Sequence, residues 1–193
     1  MTKNLRIAVL FTLLTTILFG LVYSLATTAL AQLLFRERAN GQLLEGNGKI
    51  VGSRIIGQTF DAPGYFRSRP SAAGTGYDPT SSGGSSLGPT NSKLIERVKG
   101  DVAKAQIENP GAAVPIDLVT TSGSGLDPEI SPAAAEFQIP RVARERNLSE
   151  SVVRDLVRKH TIGRQWGILG EPRVNVLELN LELDSLHPMS SRP

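Results

Sequence analysis

Residues 83–90, Gly-Gly-Ser-Ser-Leu-Gly-Pro-Thr, come within one side chain of a phosphate-binding loop. The pattern G-x-x-x-x-G-K-[ST] uses glycines to bring backbone N–H groups onto phosphate oxygens, a lysine to reach the outer phosphates and a hydroxyl to hold a metal ion. Gly83, Gly88 and Thr90 fill three of these roles, but Pro89 replaces the lysine and also removes a backbone donor. The triplet Ser82, Gly83, Gly84 is the remaining nucleotide-contact candidate, and a tightly turned surface loop is its alternative reading. Around Ser124, position 122 is serine where a hydrolase elbow needs glycine. His160 and His187 are the only histidines and give no zinc spacing, and Asp127 and Glu129 are too few for a calcium loop. No cysteine is present, so thiolate chemistry and disulfides are excluded. No catalytic residue and no metal site is expected. Glu178 and Glu182 read as the solvated face of a strand, and the arginines from Arg141 to Arg158, alternating with Glu145, Glu150 and Asp155, as a solvated helical surface. With 21 Lys and Arg against 18 Asp and Glu, scattered along the chain, there is no basic stripe for nucleic acid. What remains is binding to protein partners.

The elements that would position such contacts form an α+β soluble domain over residues 36–193. Lys49–Phe60 suits a short strand or bulged hairpin arm. A long Gly/Ser/Pro-rich loop, 61–92, also carries three aromatics and is expected to be ordered. Within it Tyr65, Phe66, Arg67 and Arg69, together with Asn91, are the candidate partner-contact residues. Thr90 or Asn91 can cap a helix with apolar positions Leu94, Ile95, Val98, Val102 and Ala105, closing at Asn109-Pro110-Gly111. Val114–Val119 reads as a short buried strand. Ser131 followed by Pro132 opens another helix, and Ser149 caps one that buries Val152, Val153, Leu156 and Val157. Leu177–Asp184 alternates apolar and polar residues, the signature of a strand, with a bulge at Val176-Leu177.

Before this domain, residues 7–35 hold no charge and are long enough to cross a hydrocarbon core of about 30 Å as a helix; residues 1–6 form a short flank. Thr12, Thr16, Gly20, Ser24 and Thr28 recur every four residues, a ridge of small and hydroxyl side chains suited to packing on another transmembrane helix. The alternative is an exported binding protein or enzyme released by signal cleavage after Ala31, since Ala29-Leu30-Ala31 has the small-x-small form. Basic residues on both flanks leave orientation open.

Four strings are more specific: Ile55–Phe60 with Tyr65–Ala72, Ser82–Asn91, Val114–Ser131 and Leu169–Asn180. In this order, behind one apolar helix, they closely resemble the C subunit of the bacterial high-affinity potassium-transporting P-type ATPase, the Kdp complex. Ser86 departs from that resemblance, since the family usually carries Asn there. The resemblance implies a single-pass subunit of the bacterial inner membrane, amino terminus cytoplasmic and soluble domain external. It implies three partners: a channel-like potassium-binding subunit, an ATP-hydrolysing P-type subunit and a small membrane peptide. It further implies an accessory role in assembly and in raising ATP affinity, with ATP and potassium handled by the complex and no cofactor held by this chain.

Overall fold

A computed structural model describes residues 2–46 and 48–188. The chain divides into two compact units, one ending at Leu43 and the other beginning at Leu44.

The first unit is dominated by one continuous helix, Thr2–Leu34, long and apolar enough to cross a membrane. It is built from α1 (Thr2–Thr15), a π-helical segment (Thr16–Tyr23) and α2 (Ser24–Leu34), and none of its described residues is buried. Thirty-three residues at 1.5 Å rise span about 50 Å, against about 30 Å of hydrocarbon to cross. Phe35 leaves helical geometry at φ −137°, and a single turn, α3 (Arg36–Ala39), follows.

From the boundary at Leu43 onward, a two-stranded sheet of β1 (Leu43–Gly46) and β2 (Lys49–Ser53) opens the second unit. The predicted strand 49–60 thus ends early, continued only by a bridge between Ser53 and Ile56. No helix or strand is found between there and Ser92 among the described residues, yet Phe66 and Ala73 are fully buried, as expected of an ordered loop. Asn91 caps α4 (Ser92–Glu108) by accepting from the Lys93 N–H at 2.9 Å. The apolar face of α4 is only partly covered, and none of its residues is buried.

Val114–Val119 is not a strand. Ile116–Leu118 forms a 3-10 turn with Ile116 exposed, because the buried Asp117 carboxylate takes the Ser131 N–H (2.7 Å) and hydroxyl (3.1 Å) and curls the chain toward the next helix. That helix, α5 (Pro132–Arg146), is capped by the Ser131 hydroxyl and ends on Asn147 in the left-handed region at φ 55°. It is the most buried element, with Ala134, Ala135, Ile139 and Val142 inaccessible. Helix α6 (Glu150–Lys159) starts at Ser149 as expected and buries Val153, Leu156 and Val157, while Val152 stays exposed. A small antiparallel sheet in the order β3 (Glu129–Ile130), β5 (Arg173–Asn175), β4 (Thr161–Ile162) adds Ile130 and Val174 to the same core.

The largest correction lies at the carboxyl end. Val176–Leu186 is a helix, α7, and the expected bulge is its capped start, where Asn175 accepts from the Glu178 N–H at 3.1 Å. Leu and Glu favour helix over strand. Val176, Leu179, Asn180 and Leu183 also fall on one helical face, which is buried against the core. The mixture of helix and sheet behind one long apolar helix is the α+β architecture read from the sequence.

Candidate functional site

Phe66 and Arg67 have no strand to pair with, so two side-chain amides take the place of one. From α7, Asn180 accepts from the Phe66 N–H and donates to the Phe66 carbonyl, both at 2.9 Å. From α5, Gln138 accepts from the Arg67 N–H at 2.8 Å and donates to the Arg67 carbonyl at 3.1 Å. Both amides are buried, and each supplies the donor and the acceptor of a ladder partner, so the N–H and carbonyl groups of Phe66 and Arg67 are paired inside the domain.

Arginines complete this frame. Arg141 and Arg146 are buried rather than solvated, which corrects the expected helical surface. Arg141 donates to the carbonyls of Pro63 and Tyr65 and pairs with Glu108 at 3.1 Å. Burial pushes its guanidinium pKa down, and Glu108 opposes the shift. Arg146 bonds the Gly64 carbonyl (2.7 Å) and Asp184 (2.8 Å) and lies 4.8 Å over the Tyr65 ring. Tyr65 donates its hydroxyl to Asp184 at 2.8 Å, and burial with that carboxylate raises its pKa. Arg67 pairs with Glu108, and Arg69 is held by Asp127 (3.2 Å) and the Thr120 carbonyl (3.3 Å).

The candidate contact residues are therefore placed as follows. Phe66 is a core residue with no exposed side chain, Asn91 is a helix cap, and Tyr65, Arg67 and Arg69 are half-buried with their polar groups bonded inside the domain. Sequence reading missed Gln138, Asn180, Arg141 and Arg146. The available signal was a lone amide, Asn180, inside the Leu/Glu run 177–184.

The glycine-rich loop is committed in the same way. The Gly83 N–H donates to the Ser124 carbonyl at 2.8 Å, and the Ser82 hydroxyl donates to the same oxygen at 3.0 Å. A Cβ on Gly84 would lie 3.2 Å from the Gly123 carbonyl, and one on Gly125 would lie 2.7 Å from the Ala73 nitrogen and the Gly83 carbonyl. These glycines let two loops lie backbone against backbone. Of the groups that could meet a phosphate, the Gly83 N–H and the Ser82 hydroxyl are bonded to Ser124. Glu178 and Glu182 are also engaged, with Arg54 at 2.5 Å and with Lys159 and His160 at 2.5 Å each. Among the described residues no group of three His, Asp or Glu side chains is arranged to hold a metal ion.

In the first unit, the ridge is shaped by the π segment. A four-residue step overshoots one α-helical turn by about 40°, whereas in a π segment, bonded i to i+5, the wider turn makes the same step undershoot. Thr16–Tyr23 therefore counteracts the drift that would carry Thr12, Thr16, Gly20, Ser24 and Thr28 around the helix. The hydroxyls of Ser24 and Thr28 return to the carbonyls of Phe19 (3.1 Å) and Ser24 (2.8 Å), which leaves small apolar surface outward.

An apolar helix long enough to span a membrane, followed by an α+β unit in which buried amides and arginines hold a central loop, is the layout of a membrane-associated subunit. The profile of the K+-transporting ATPase c chain, KdpC, matches residues 5–185. The potassium-transporting ATPase KdpC subunit of Koribacter versatilis is 61% identical over 189 residues, covering 98% of each chain. Those of Acidobacterium capsulatum and Rhodopseudomonas palustris are 55% and 53% identical, covering 96% of this chain and 100% and 99% of theirs. The chain belongs to the KdpC family and is a subunit of a potassium-transporting ATPase.

Proposed function

We propose that the chain is a non-catalytic accessory subunit of an ATP-driven, high-affinity potassium import complex. It is required for assembly and raises the ATP affinity of a separate hydrolysing subunit. Its partners are that P-type subunit, a channel-like potassium-binding subunit and a small membrane peptide, and potassium and ATP are handled by them. The soluble unit stands outside the cytoplasm and the amino terminus inside, so any effect on ATP travels through subunit contacts as a coupling free energy. The ridge from Thr12 to Thr28 packs on a transmembrane helix of a partner, and the exposed edges of Tyr65, Arg67, Arg69 and Asn91 contribute to docking.

The observation that carries this reading is the match to the K+-transporting ATPase c chain over residues 5–185, and the bonds of the Gly83 N–H and Ser82 hydroxyl to Ser124 support a structural use of the glycine-rich loop. Two measurements test it. Titrating the purified full chain with ATP is expected to give no binding, and micromolar affinity would overturn the reading. The hydrolysing subunit is expected to show a lower KM for ATP in the complete complex than when purified without this chain, and an unchanged KM would remove the coupling. The retained anchor predicts an intact amino terminus in the membrane fraction; a mature chain starting at Gln32 would favour release instead.

A further inference from the structure

The connection between β4 and β5 ends in a knob of apolar side chains facing solvent. Gln165 and Leu169 exchange backbone hydrogen bonds, each 2.9 Å, and the Ile168 N–H also reaches the Gln165 carbonyl at 3.2 Å, closing a three-residue loop. Trp166 at its tip is 89% exposed and Ile168 is 74% exposed, with Leu169 and Ile162 about half exposed beside them. Trp166 sits in the left-handed region at φ 53°, followed by Gly167 at φ 79°. Asn or Gly takes that conformation readily, whereas a bulky side chain there is an outlier. Trp166 thus serves neither the core nor the turn. Clustered exposed apolar groups mark contact surfaces, and tryptophan is enriched where interfaces are strongest.

Charge and shape select what covers it. Residues 165–170 carry no charge, and Arg164 beside them is neutralised by Glu171 through contacts of 2.7 and 2.8 Å to its two oxygens. A lipid-surface anchor draws on unpaired Lys and Arg facing anionic headgroups, and the knob offers none. A bilayer also makes no demand on backbone stereochemistry, whereas a shaped crevice rewards a knob already fixed in its bound form. We propose that Trp166 and Ile168 insert into an uncharged, apolar crevice on another subunit of the potassium-transporting ATPase. The inference rests on the subunit reading above.

The test uses the full chain co-expressed with the other subunits. A photo-cross-linking amino acid placed at position 166 is expected to join one defined segment of a co-purifying ATPase subunit, identified by mass spectrometry. Trp166→Asn is expected to act in opposite directions: it raises the unfolding temperature of the chain alone by relieving the left-handed tryptophan, and speeds its loss from the complex about tenfold or more. Adducts to lipid only, or Trp166→Asn retained like the unaltered chain, would overturn the knob assignment while the subunit reading stands. Failure of the unaltered chain to co-purify with any ATPase subunit would overturn both.

Discussion

Asn180 is the side chain on which the path of the loop most directly depends. Replacing it with Leu keeps the branched shape but strands the Phe66 N–H and carbonyl in the interior, which costs about 2–6 kcal/mol for two unsatisfied groups; urea unfolding of the chain would measure it. Phe66→Ala removes a fully buried ring and costs about 3–5 kcal/mol. Its expected outcome is an unfolded domain rather than a folded subunit released from its partners, and circular dichroism separates the two. Ser86 takes φ 50°, a conformation several-fold more common for Asn. Ser86→Asn is expected to stabilise the domain by about 0.5 kcal/mol, read as a rise in the urea midpoint. The loop residues themselves were legible as a cluster of aromatics and arginines. Their direction was not, because an arginine's type does not reveal whether buried carbonyls await it, as they do for Arg141 and Arg146.

Between elements, Glu182 on α7 joins the end of α6 through Lys159 and His160. Hydrogen bonds from these two hold its carboxyl below the usual carboxylate range. The stabilisation is complete above the ordinary carboxylate pKa and is lost as pH falls through the lower folded value. Glu182→Gln is expected to lower stability at neutral pH and to flatten the acid limb of a melting-temperature profile; an acid limb of unchanged slope would show that the α6–α7 contact does not depend on this charge. Helices α4, α5 and α6 could be read from their caps, Asn91, Ser131 and Ser149, because a cap is a local event encoded within a few residues. Helix α7 was misread because strict Leu/Glu alternation satisfies the strand period while the residue preferences and the Asn175 cap both favour helix, and in the fold the cap and the buried face prevail. The 3-10 turn at Ile116 was hidden for a different reason: its cause, the hydrogen bonds from Ser131 to Asp117, lies 14 residues away.

Among the described residues, every buried apolar side chain belongs to the second unit, and the long apolar helix buries none. Gly20→Leu is therefore expected to leave the unfolding temperature of the soluble unit unchanged while weakening recovery of the complex in mild detergent. A change confined to the soluble unit's own unfolding would contradict the proposed role of the ridge. The two-part plan was visible in the charge-free run and the patterned remainder, and four strings in order carried the family. The π segment was invisible, because hydrophobic composition does not distinguish i to i+4 from i to i+5 bonding. The neutrality of the two amide partners matters for a subunit of a machine that moves salt. Screening shortens the reach of exposed charges from about 8 Å at physiological ionic strength to about 3 Å at 1 M, so pairs such as Arg164–Glu171 loosen as salt rises. The bonds from Asn180 and Gln138 to Phe66 and Arg67 involve no net-charged group. As the surroundings grow saltier the domain softens from its rim inward, and the trace of the central loop is the last thing to change.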